Sequence, residues 1–130
     1  MREASLELLA PRDDVWAFLS EPYHLPDWWP GITGVEPDRR GFAPGARWKV
    51  HATKRNILIG RRQVETMLVV RDVDPYERWS WYVLAPKTET EVRLRSLERD
   101  RTLVTVATDG PRPEVAVRRL YDLVQTAATM

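Results

Sequence analysis

Residues 10–32 read APRDDVWAFLSEPYHLPDWWPGI, and the positions of proline within them set the local architecture. Pro11 carries a φ already suited to the first helical position, where the N–H it lacks would have no partner in any case. Asp13 and Asp14 follow in the first turn, where carboxylates suit the positive end of the helix dipole, and Val15, Trp16, Phe18 and Leu19 form a short apolar face. A helix therefore opens at Pro11. Prolines at 22, 26 and 30 stand too close together for a long second helix, but they allow one short turn beginning near Leu25. Two small helices are expected beside each other, ending on Trp28-Trp29-Pro30.

Strand signals flank this stretch on both sides. Residues 3–9 place Ala4, Leu6 and Leu8 in alternation with Ser5 and Glu7. Beyond Gly31, a short strand at 32–36 leads into a connection rich in turn residues: Pro37, Gly41, Pro44 and Gly45. Alternation recurs at 46–53, where Trp48, Val50 and Ala52 oppose Arg47, Lys49 and His51, and again at 62–73, 79–84, 90–96 and 101–108. From Pro113 the period changes: Val117, Leu120, Tyr121, Val124 and Ala128 recur at three- and four-residue intervals, the stripe of an amphipathic helix. Sequential antiparallel strands with one long helix predict an α+β fold. In it a curved seven-stranded antiparallel sheet wraps around the long C-terminal helix, and two short helices follow strand one. No repeat, low-complexity tract or linker divides the chain, so residues 1–130 read as one domain.

Composition narrows the function classes. The chain has 130 residues, 43% of them hydrophobic and 30% charged, as in a single globular domain. No run approaches the roughly 18 apolar residues of a membrane span. The opening MREASLELLA carries two glutamates where a secretory signal needs a continuous apolar segment, which argues against export and leaves a cytoplasmic setting as the default expectation. The lack of cysteine removes disulfides, thiolate nucleophiles and cysteine metal sites together. A net charge of +1 is too small for the broad positive field of a nucleic-acid binder.

The element order and two local strings resemble the START-related SRPBCC superfamily, the helix-grip proteins that include polyketide cyclase/dehydrase-like members. The strings are residues 10–32 and VVRDVDPYERWSW at 69–81, whose Asp74-Pro75 turn joins two strands. Both specify scaffold and neither is a catalytic motif. The resemblance implies a sheet gripping the C-terminal helix, with a hydrophobic cavity between them that takes lipids, polyketides, sterols or other apolar small molecules. The closing helical segment is somewhat short for the family, which bears on how the cavity closes.

Alternation assigns Trp48, Val50, Thr66, Leu68, Val92, Leu94, Val104 and Val106 to the face toward the helix, with Trp79, Trp81 and Val83 on the neighbouring strand. Val117 and Tyr121 would face them from the helix. The residues alone favour a solid core; the resemblance turns the expectation toward a cavity. Tyr121 brings a phenol to the sheet side and is the one catalytic candidate, with a core tyrosine as the alternative. Thr66 and Thr90 add inward hydroxyls. Of Trp28 and Trp29, one is expected to pack on the sheet and the other to cover the entrance. His51 shares parity with Arg47 and Lys49 and should point outward, while His24 and Asp27 form at most a weak acid/base pair. No HExxH, GxSxG or GxxxxGK motif occurs, so neither metal nor cofactor is expected. The segment 54–62, KRNILIGRR, sets an apolar tip between cations; it would touch an anionic membrane surface transiently, fold over the cavity mouth or pack in a homodimer.

The leading expectation is a protein that binds a hydrophobic or aromatic small molecule between sheet and helix. The alternatives are a polyketide cyclase/aromatase-type enzyme using the same cavity, and an interaction or dimerisation module presenting Tyr82 and Leu84.

Overall fold

The computed structural model describes residues 1–56, 60–84, 87–110 and 112–129, with side chains except those of 54–56, 60–62 and 125–129. The order is β1 (Arg2–Leu8), α1 (Arg12–Leu19), a 3-10 turn (Pro22–His24), α2 (Leu25–Trp28), β2 (Ile32–Glu36), β3 (Arg47–Asn56), β4 (Gly60–Asp74), β5 (Arg78–Leu84), β6 (Lys87–Glu98), β7 (Arg101–Thr108) and α3 (Pro113–Thr129). The strands form one antiparallel, curved sheet in the order β1-β7-β6-β5-β4-β3-β2. β2 to β7 are thus each hydrogen-bonded to the next, and β1 closes on β7 as the opposite edge.

The helices end where the sequence implies. Pro11 is the N-cap of α1, and its carbonyl accepts the first N–H bonds from Asp14 and Val15, both at 3.1 Å. His24 ties the 3-10 turn back to α1: its Nδ1 lies 2.8 Å from the Phe18 carbonyl and its ring stacks on Phe18 at 4.3 Å. Gly31, at φ +86°, ends the proline-bounded segment in a conformation open to glycine.

Register decides what faces the helices. Val35, Val50 and Thr66 stand side by side, as do Trp48, Leu68 and Val83. Trp79, Val92, Val106 and Ala4 make a further row across four strands. A bulge between Val70 and Asp72 lets Val70 and Val73 both turn inward, opposite Trp81 and Trp79. α3 lies nearest β1 and β7 and also meets α1 and α2, and it buries Ala116, Val117, Leu120 and Val124.

Strands β3, β4, β5 and β6 are longer than alternation suggests, because ladder hydrogen bonds recruit polar flanking residues that patterning cannot mark. Leu9, placed in strand one by its apolarity, falls past the end of the ladder and is 40% exposed. Buried threonines stitch the ends. Thr102 Oγ1 donates to the Ala10 carbonyl (2.8 Å), and Thr108 Oγ1 lies 2.9 Å from Thr90 Oγ1 and accepts from the Gly110 N–H at 3.0 Å.

Candidate functional site

The inner face of the sheet divides into two halves. Toward α1 it is closed by aromatic rings. Trp79 and Trp81, two apart on β5, lie 4.3 Å centroid to centroid. Trp28 crosses edge-on to Trp81 at 6.1 Å and Trp29 does so at 5.2 Å, while Phe42 covers Trp79 at 4.5 Å. Trp48 joins the group 5.8 Å from Trp79 and fixes its indole by donating Nε1–H to the Gly41 carbonyl at 2.6 Å. Trp28, Trp48, Trp79 and Trp81 are at most 1% exposed, so their rings present almost no surface to water.

Further along the same strands the face opens. Val50 is fully buried, but Ala52, next on that side of β3, is half-buried. Its partner Val64 is half-buried too, as are Thr66, Ile32, Val83 and Thr88. These side chains form a contiguous patch by register, apolar except for the two threonines. It is bordered below by the buried layer of Val50, Leu68 and Trp81.

The sequence-derived residues fall on both sides of this divide. Trp48, Val50, Leu68, Trp79, Trp81, Val92, Val104 and Val106 belong to the closed layer, with Leu94 and Val117 nearly so. Thr66 stands in the open half. Tyr121 is half-buried on α3, with the Arg118 guanidinium 5.4 Å from its ring centroid. Both Trp28 and Trp29 are buried, at 0% and 5%, so neither is a free cover over an entrance. The Thr90 hydroxyl is taken up by Thr108. His24 is engaged with Phe18 through its Nδ1 and its stacked ring rather than with Asp27, which removes the acid/base pair. His51 does point outward, 3.0 Å from Glu36 across β2 and β3. That hydrogen bond, with Lys49 nearby, holds the Glu36 carboxyl below its ordinary range. Tyr82 is half-buried beneath Arg71, whose guanidinium lies 5.7 Å from the ring and pairs with Glu89, so of the expected interaction pair Leu84 alone is well exposed. Segment 54–62 lies outside the described side chains.

Sequence reasoning passed over Ile32, Val64 and Thr88 as wall residues, and Phe42 as part of the closed layer. One further step of alternation beyond Thr66 would have reached Val64. Phe42 sits in a turn-rich loop, where no periodicity marks it. On the outer face, a groove of about 610 Å³ runs past Arg78, Arg93 and Leu103, but its walls include ion pairs such as Arg78–Asp74 and Arg93–Glu3. Among the described residues no cluster of His, Asp and Glu is arranged to hold a metal ion, and no helix is long and apolar enough to cross a membrane.

A curved seven-stranded antiparallel sheet packed against a C-terminal helix defines a helix-grip domain. The chain belongs to the family described as polyketide cyclase / dehydrase and lipid transport, whose model matches residues 3–127. Among solved structures it is similar to protein NE0264 of Nitrosomonas europaea, at 16% identity and TM-score 0.67 over 98% of this chain and 97% of that one. It is also similar to a norcoclaurine synthase point mutant of Thalictrum flavum bound to a transition-state analogue, at 17% identity and TM-score 0.69 over 98% and 94%. A third is StfQ, a di-domain ARO/CYC of the steffimycin biosynthetic pathway, at 19% identity and TM-score 0.68; 98% of this chain covers 45% of that one. At these identities the likeness is one of fold. No curated protein matches the chain.

Proposed function

We propose that the protein binds a small apolar or aromatic molecule in the open half of the inner face, above the indole layer. One observation carries this reading: along single strands the inner face passes from fully buried aromatic and aliphatic residues to half-buried, mostly apolar ones at Ala52, Val64 and Val83. Water-accessible apolar surface on a concave wall gains roughly 25 cal/mol per Å² when a guest covers it. The family's description, which includes lipid transport, supports the same reading. The Trp28–Trp81 packing limits depth, so the guest is short and flat, and Thr66 and Thr88 are the wall's hydroxyl-bearing side chains.

A cyclase-type activity is the second reading, favoured by Tyr121, which is half-buried on α3 with the Arg118 guanidinium 5.4 Å from its ring. Native mass spectrometry of freshly purified protein tests binding: an apolar adduct that is lost on organic extraction supports it. Ligand-free protein that also leaves its tryptophan emission unchanged on titration with 1-anilinonaphthalene-8-sulfonate would overturn it.

A further inference from the structure

The aromatic rings form one continuous path that ends in water at Tyr76. It runs from Trp29 to Trp81 (5.2 Å between centroids), then to Trp79 (4.3 Å), Phe42 (4.5 Å), Trp16 (5.6 Å) and Tyr76 (6.0 Å). Every step is at aromatic contact distance. Tyr76 is 45% exposed, while Trp79 and Trp81 are 1% exposed.

Two features set this path apart from ordinary packing. The first is strain. Tyr76 has φ +68° and is the residue after Pro75 in the turn that Glu77 N–H closes on the Asp74 carbonyl at 3.0 Å. That position suits glycine, and an L side chain there costs about 1–2 kcal/mol. A side chain retained against such a cost points to a use for its ring. The second is proton chemistry. At the middle of the path the indole N–H of Trp79 is buried with no acceptor. An indole that loses an electron there has nowhere to send its proton, so its radical cation stays strongly oxidising. At Tyr76 the phenol stands in water and gives up electron and proton together.

We propose that these rings are a one-electron relay that drains oxidising equivalents from the indole core to Tyr76. A one-electron oxidant, such as an aryl or phenoxyl-type radical, takes an electron from Trp81 or Trp29 and is reduced. The vacancy is refilled in turn from Trp79 and, across the Phe42 ring as a bridge, from Trp16. Tyr76 supplies the last electron and releases its proton to water, and a thiol in solution returns both. The chain's own lack of cysteine leaves no competing thiol. Only the idea that such a radical arises from a bound guest rests on the function proposed above.

Pulse radiolysis tests the relay without any guest. Azide radicals oxidise tryptophan, and the indolyl absorbance should decay into phenoxyl absorbance at a first-order rate independent of protein concentration. Tyr76→Phe, which keeps the ring and its packing, should abolish that phase, Trp16→Phe should slow it, and Tyr23→Phe should leave it unchanged. Persistence of the intramolecular phase in Tyr76→Phe, dependence on protein concentration, or an unchanged rate in Trp16→Phe would each overturn the relay.

Discussion

Val50 and Ala52 point to the same side of β3, yet the first is fully buried and the second half-buried. Between them lies the boundary between a layer filled by indoles and a wall that water still reaches. The same boundary crosses β4 between Leu68 and Thr66 and β5 between Trp81 and Val83. It is therefore shared by β3, β4 and β5.

The indole layer should tolerate loss of an orphaned donor better than loss of a bonded one. Trp48 Nε1–H holds the Gly41 carbonyl, whereas Trp79 Nε1–H has no acceptor. Trp48→Phe is expected to cost about 1 kcal/mol more than Trp79→Phe, and Trp79→Ala about 3–5 kcal/mol, in urea unfolding. Equal costs for the two phenylalanine variants would remove the distinction.

Thr102 is fully buried and donates to the Ala10 carbonyl at the junction of β1 and α1. Thr102→Val keeps the shape but leaves that carbonyl unpaired, for a loss of about 1–3 kcal/mol; Thr102→Ser, which keeps the hydroxyl, should lose less. Calorimetry on both variants checks the order.

Acid should weaken the fold through Asp38 and Glu36. Asp38 is held below its ordinary range by the backbone N–H of Arg47 first and of Arg40 after it, and Glu36 by His51. A carboxylate whose folded pKa is depressed contributes stability that is present above its unfolded value near 4 and is lost as pH falls through the folded one. Asp38→Asn should accordingly flatten the acid limb of the stability profile below about pH 4. A limb as steep as the parent's would assign acid lability elsewhere.

Much of the fold was legible because its signals are local. Pro11, Asp13 and Asp14 mark a helix start, and strict alternation from Trp48 to Ala52 marks a half-buried strand. The Asp74-Pro75 turn was visible too, although nothing in the sequence says that Tyr76 would occupy a left-handed position there. The site was legible only as a face. Parity places Trp81 and Val83 on one side of β5, but which of them meets water depends on Trp28 and Trp29 arriving from 50 residues away, and three-dimensional packing decides that. His24 shows the same limit: its partner is a backbone carbonyl in α1, and a carbonyl carries no sequence signature.

If Tyr121 takes part in a reaction, Tyr121→Phe should lose turnover on a cyclisable polyketide-like substrate while leaving probe affinity unchanged. Full turnover in that variant would remove Tyr121 from the chemistry and leave simple binding.

Filling the open wall from within is the sharpest test of a guest site there. Ala52→Trp and Val64→Trp each place an indole in that space, and a control, Glu65→Trp, adds the same ring to the outer side of β4. Titration with 1-anilinonaphthalene-8-sulfonate should show affinity lowered about ten-fold or more, roughly 1.4 kcal/mol, in both inner variants and unchanged in the control. Inner variants that remain folded and bind the probe as tightly as the parent would contradict a guest site on this wall.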